Sequence, residues 1–174
     1  MAAGTFHVFT HCVWAARAHF RDDVDRTDFL RRLAAALATT ESRCIAFCLM
    51  GTHYHLIVDV PDNALPTSMH VLNLGYSRQF NRRHGLRGHA QFNRYGSRRI
   101  TDDVDLLETF AYVALNPVEA GLCESPSDWR WSSYAATIGL AEPHSFVEDT
   151  RLLACVGGLI DDARAKLRAR VEKS

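Results

Sequence analysis

From Thr5 to Trp14 polar and apolar side chains alternate at the start, Phe6 and Val8 falling between Thr5 and His7, the period-two pattern of a strand. From Arg26 to Thr40 the period lengthens. Phe29, Leu30, Leu33, Ala34 and Leu37 recur at helical spacing and form one apolar stripe. Arg43 to Met50 is an apolar run holding Cys44, Ile45, Phe47, Cys48 and Leu49. Gly51-Thr52 supplies a short turn, and His53 to Val60 reads as a further strand closed by Pro61. Two strands joined so closely predict a hairpin. A helix is expected from about Pro66 to Arg83, a Gly-, Arg- and Asn-rich loop from Gly85 to Gly96, and a short strand over Ser97 to Ile100. Thr101 is placed to cap a helix whose first turn holds Asp102, Asp103 and Asp105, acids that suit the positive end of the dipole. This helix should run to about Asn116-Pro117 and be finished by Gly121.

The order strand-helix-strand-strand-helix-strand-helix predicts an α+β fold, an antiparallel sheet with helices packed mainly on one face. After Gly157-Gly158 one more apolar stripe (Ile160, Ala163, Leu167, Val171), with Arg164, Lys166, Arg168 and Arg170 on the same helix, could dock on the domain, pair with another protomer or grip DNA; docking is expected, because one stripe means one buried face. Residues 1–140 therefore read as the main domain and residues 141–174 as a C-terminal helical extension.

Composition narrows the class. A length of 174 residues suits one compact domain, and a hydrophobic content of 47% excludes both a disordered chain and a disulfide-stapled miniprotein. No apolar run approaches the ~18–20 residues of a membrane span, and the N-terminus lacks a signal-peptide core, so a cytoplasmic protein is expected. The five cysteines have no framework spacing. Cys44 and Cys48, inside an apolar strand, are expected as reduced, buried thiols rather than zinc ligands. The net charge of zero hides a segregation: Asn63 to Thr101 contains no acid and seven arginines, so this stretch carries +7 and the remainder −7. A positive surface of that kind favours a polyanionic partner, the alternative being arginines that are merely solvated or paired with the acidic remainder.

Two places carry candidate chemistry. On a strand His53 and His55 point to one face, while Tyr54, Leu56 and Val58 point to the other. If the apolar set takes the helix-covered core, both imidazoles lie on the open face, either as two surface histidines or as a pair sharing one divalent ion. The binuclear metallohydrolase alternative fits poorly, since only Asp59 follows. Tyr112 and Asn116 are four apart and share a helical face. Alone they read as a core-edge tyrosine and a helix end. With the histidines, a phenol and an amide oxygen could face a metal, and two imidazoles with an amide form a mixed N/O set that accepts Mg²⁺ or Mn²⁺.

These residues resemble a known family. Leu49-Met50-Gly51-Thr52-His53-Tyr54-His55-Leu56-Ile57-Val58 is similar to the His-hydrophobic-His motif of single-tyrosine, HUH-type transposases, and Tyr112 through Leu122 to the tyrosine helix of their REP-associated branch. Arg78 to Gly85 and Trp129-Arg130-Trp131-Ser132-Ser133-Tyr134 match segments between and after those motifs, so the resemblance covers most of residues 5 to 136. It implies a ferredoxin-like domain that cuts and rejoins single-stranded DNA, with His53, His55 and Asn116 holding the metal and Tyr112 as the nucleophile. Where the family usually has Pro-Asn this chain has Gly51-Thr52, and where it often has Lys-Ser this chain has Gly96-Ser97, one cation fewer.

Arg78 and Arg82 stand four apart with Arg83 and His84 beside them, an arrangement that can track a phosphate backbone. Phe92, Arg94 and Tyr95 add flat groups for unpaired bases, and Arg98 and Arg99 complete the basic set. The expected partner is single-stranded or hairpin DNA, bound by a monomer or a homodimer. A hairpin-binding protein without catalysis, and a nuclease using water, are the alternatives.

Overall fold

The computed structural model describes residues 2–10, 18–86 and 95–173. Four antiparallel strands, β1 (Gly4–Phe9), β2 (Arg43–Leu49), β3 (Tyr54–Val60) and β4 (Gly96–Arg99), form one sheet in the order β2-β3-β1-β4. Between them run α1 (Asp23–Ala38) and α2 (Ala64–His84); after them come α3 (Asp103–Glu119), a 3-10 turn (Pro126–Asp128), α4 (Tyr134–Thr137), α5 (Thr150–Val156) and α6 (Ile160–Val171). The α+β class and antiparallel sheet are as the periodicity predicts. Of the first predicted strand, residues 11–14 lie outside the described residues.

One sheet face carries the expected core. Phe6 and Val8 of β1, Phe47 and Leu49 of β2, and Tyr54, Leu56 and Val58 of β3 pack against Phe29 and Leu33 of α1 and Leu72 and Tyr76 of α2. Tyr54 is wholly buried and donates its hydroxyl to Oδ1 of Asn73 at 3.1 Å, which satisfies the phenol inside that core.

The other face departs from the expectation that helices lie mainly on one side. Ile45, Ile57 and Cys48 form a second core with Leu106, Phe110 and Val113 of α3, and with Leu152 of α5 and Leu167 and Val171 of α6. The apolar stripe of the last helix docks there, as predicted, although Ile160 at its start is 57% exposed. Face coverage of a sheet is decided by tertiary packing of distant helices, and neither α3 nor the C-terminal stripe announces which face it will take.

Three local differences have simple causes. Asp102, not Thr101, caps α3, its carboxylate accepting from the Asp105 amide. Helix α3 continues through Pro117 to Glu119, because a proline in the last turn forfeits only one backbone donor; the Ala120 and Leu122 amides then close the end on the Asn116 and Pro117 carbonyls. The segment after the 3-10 turn covers the outer edge of β2: the Leu49 amide donates to the Trp131 carbonyl at 2.8 Å, and Trp129 donates its indole N–H to the Leu49 carbonyl at 3.1 Å. Capping an edge strand in this way blocks unwanted pairing. Cys44 and Cys48 are free and buried, and burial raises both thiols to about 12, consistent with inert core positions.

Candidate active site

The hairpin turn before His53 is held from outside: the His19 and Phe20 amides both donate to the Gly51 carbonyl, at 2.9 and 3.1 Å. This fixes where β3 begins. His53 stands just ahead of β3 and is partly exposed, with Nδ1 3.1 Å from the Thr52 hydroxyl and Nε2 3.2 Å from Oδ1 of Asn116 on α3. His55 shares its face but is only 4% exposed, because α3 covers that side of the sheet. The two imidazoles lie 5.0 Å apart and perpendicular. The expectation of two solvent-facing histidines is thus corrected for His55 and holds partly for His53.

Tyr112 projects from α3 beside them. It is 47% exposed, with its ring edge-on to His55 at 5.4 Å. The helical spacing that pairs Tyr112 with Asn116 delivers the phenol next to one histidine and the amide next to the other. All four residues are brought together by the β2–β3 hairpin and α3.

A fifth group belongs to the cluster and was not singled out from sequence. His7 of β1 places Nε2 3.0 Å from Nδ1 of His55, with Tyr112 edge-on at 5.9 Å. Burial, aided by the nearby Arg98 guanidinium, pushes His7 down to about 4, so it is neutral at neutral pH. The signal was the alternation Thr5-Phe6-His7-Val8, but the register that sets β1 against β3 is not written in either strand alone. Beside these rings opens a cleft of about 450 Å³ lined by His7, Phe9, His55, Arg98, Asp105, Glu108, Thr109 and Tyr112.

The donor set can be tested against a metal. Among the described residues no three His, Cys, Asp or Glu side chains converge as ligands. Two imidazoles and the Asn116 amide oxygen are what the cluster offers, and the contact between His53 Nε2 and Asn116 Oδ1 shows that two of these atoms already face each other. The set fits a divalent ion that keeps sites open for other oxygens.

The model of the family described as "Transposase IS200 like" matches residues 5–115. The chain belongs to the IS200-like transposase family. A relative from Haemophilus influenzae, which carries the provisional name REP-associated tyrosine transposase, is 26% identical over 123 residues, 62% of this chain and 70% of its own length. A solved REP-associated tyrosine transposase, bound in its structure to a REP hairpin, superposes with a TM-score of 0.59 at 18% identity, covering 85% of this chain and 93% of its own. That likeness establishes a shared fold.

The arginines of this IS200-like transposase divide into two groups. Arg78 and Arg82 are exposed on α2, as expected for a surface that meets phosphates. Arg83, expected beside them, instead turns to the N-terminus of α1: it pairs with Asp22 at 2.7 Å and with buried Asp25 at 2.5 Å, and His84 lies 3.0 Å from Asp25. Arg98 is held by Asp105 at 2.8 Å and donates to the Thr109 hydroxyl at 2.6 Å, and this contact holds the Asp105 carboxyl down at about 2. Arg99 donates to the Ala3 carbonyl at 2.9 Å and lies over the Phe6 ring. Pairing with the acidic remainder therefore accounts for Arg83 and Arg98. Tyr95 is partly buried against the first core, which raises its phenol, while Phe92 and Arg94 lie outside the described residues.

Position 96 explains one departure from the family pattern. A Cβ on Gly96 would meet the Phe9 ring at 2.5 Å, so glycine here makes room for a side chain that lines the cleft.

No helix among the described residues is long and apolar enough to cross a membrane.

Proposed function

We propose that this IS200-like transposase cuts and rejoins single-stranded DNA at hairpin elements, with Tyr112 as nucleophile. The observation that carries this reading is an exposed phenol edge-on to His55 at 5.4 Å, with Asn116 on the same helix face at His53. Hairpin DNA as the partner is supported by the solved relative bound to such a hairpin and by the exposed pair Arg78 and Arg82.

The chemistry balances as an exchange of esters. The Tyr112 oxygen bonds to phosphorus, the bond from phosphorus to the 3′ oxygen breaks, and the departing strand leaves as a 3′-hydroxyl. The product is a 5′-phosphotyrosine. A later 3′-hydroxyl reverses the exchange without ATP, because the phosphoester is conserved. The Tyr112 hydroxyl gives up its proton as its oxygen bonds to phosphorus, and the departing 3′ oxygen takes one up. His53, His55 and Asn116 would hold Mg²⁺ or Mn²⁺, which when bound supplies polarisation of the scissile phosphate. Thr52 and the pinned turn orient His53, and α3 keeps the phenol and the amide in register.

The test is a denaturing gel with an end-labelled oligonucleotide bearing a hairpin and a single-stranded 5′ flank. A band shifted by the mass of the protein, dependent on Mg²⁺ or Mn²⁺ and lost in EDTA, is the expected result. Free cleavage product without adduct would make water the nucleophile, and binding without cleavage would leave a hairpin-binding protein.

A further inference from the structure

We propose that His7 is the positioning residue of this site: its Nε2 accepts a hydrogen bond from Nδ1–H of His55 and so assigns Nε2 of His55 to the metal. The inference rests on the reading of His53, His55 and Asn116 as ligands given above.

The geometry begins in the sheet. In the β1–β3 pairing Phe9 stands opposite His55 and His7 opposite Ile57, so His7 and His55 are diagonal neighbours on one face. Diagonal partners in an antiparallel pair are within reach of ring side chains. Here the rings lie 5.2 Å apart and only 25° from parallel, with a nitrogen-to-nitrogen distance of 3.0 Å, and both residues are buried. Phe9 at 5.1 Å and Tyr112 at 5.9 Å hold His7 from two sides.

Two ring nitrogens 3.0 Å apart share one proton, so one donates and the other accepts. A histidine engaged through Nδ1 must ligate through Nε2, and for that its own proton has to sit on Nδ1. His55 is then the donor and His7 the acceptor. Histidine ligands are commonly oriented by a carboxylate or a backbone carbonyl. An uncharged imidazole does the same work without placing a negative charge next to a DNA phosphate.

The experiment has two readouts. Long-range proton–nitrogen spectra of the metal-free chain, labelled with nitrogen-15 histidine, report which His55 nitrogen carries hydrogen; Nδ1–H is expected. Mn²⁺ titration followed by electron paramagnetic resonance then compares variants. His7→Phe keeps a ring without an acceptor and should weaken Mn²⁺ binding about 10- to 100-fold. It should also let His55 populate both tautomers. His7→Gln retains an acceptor oxygen and should bind Mn²⁺ within a few-fold of the parent.

An Nε2–H tautomer in the parent overturns the proposal. So does parental affinity in His7→Phe, and so does equal weakening in Phe and Gln variants, which would mark a packing role only. A parent chain that binds no Mn²⁺ overturns the ligand reading beneath it. That failure is distinct, because the tautomer is read without metal.

Discussion

Tyr112 and His55 are 5.4 Å apart yet differ in what their removal should cost. The phenol is 47% exposed, and Tyr112→Phe removes only its oxygen, so stability should change by less than ~0.5 kcal/mol. DNA affinity should persist while the covalent adduct disappears; an adduct formed by this variant would move the nucleophile to another tyrosine. His53→Ala and His55→Ala should both abolish cleavage, but thermal denaturation should separate them. His53 is partly exposed, and its truncation should be nearly neutral. His55 is 4% exposed, and its loss leaves the buried Nε2 of His7 without that partner, at a cost of about 1–3 kcal/mol. Equal melting temperatures for the two alanine variants would contradict the burial described for His55. From sequence the two histidines look equivalent, being two residues apart on one strand. Only the helix lying across one of them breaks the equivalence.

Among the elements, α2 shows the clearest division of labour. Its exposed arginines face outward, while its last turn is clipped to the start of α1 through Asp22, Asp25, Arg83 and His84. Arg78→Ala with Arg82→Ala should therefore weaken hairpin binding and reduce the salt slope of log affinity by about 2. Arg83→Gln should leave that slope unchanged and lower the melting temperature instead. The Arg83 hydrogen bond holds the Asp22 carboxyl down at about 2, below its ordinary value of 3.8. A depressed carboxylate stabilises the fold above its unfolded value and loses that contribution as pH falls. The parent chain should thus lose stability between about pH 4 and 2 more steeply than Arg83→Gln, as followed by circular dichroism. The helices and the hairpin were legible because period and turn residues are local properties. Arg83 was not, since nothing in Arg82-Arg83-His84 tells which guanidinium meets an acid sixty residues upstream. The same holds for His7, whose partner is fixed by strand register, and for Gly96, whose lack of a side chain makes sense only beneath Phe9.

At the scale of the molecule, the two cores settle where the site can form. One core lies under α1 and α2; the other locks α3 between the sheet and the C-terminal helices, with Leu106, Phe110 and Val113 buried on one side and Leu152 and Leu167 closing over them. Tyr112 and Asn116 ride on that clamped helix, and His7, His53 and His55 come from the sheet or its hairpin in the same polypeptide. A locked helix cannot lend its tyrosine to a neighbour without opening the second core. Subunit complementation should therefore fail: Tyr112→Phe chains mixed with His55→Ala chains, each inactive, should stay inactive on a labelled hairpin at any ratio. Recovery of strand cleavage in the mixture would show the phenol of one chain working beside the histidines of another. On the proposed reading each copy carries every group of its own site, so one copy would suffice for one cut.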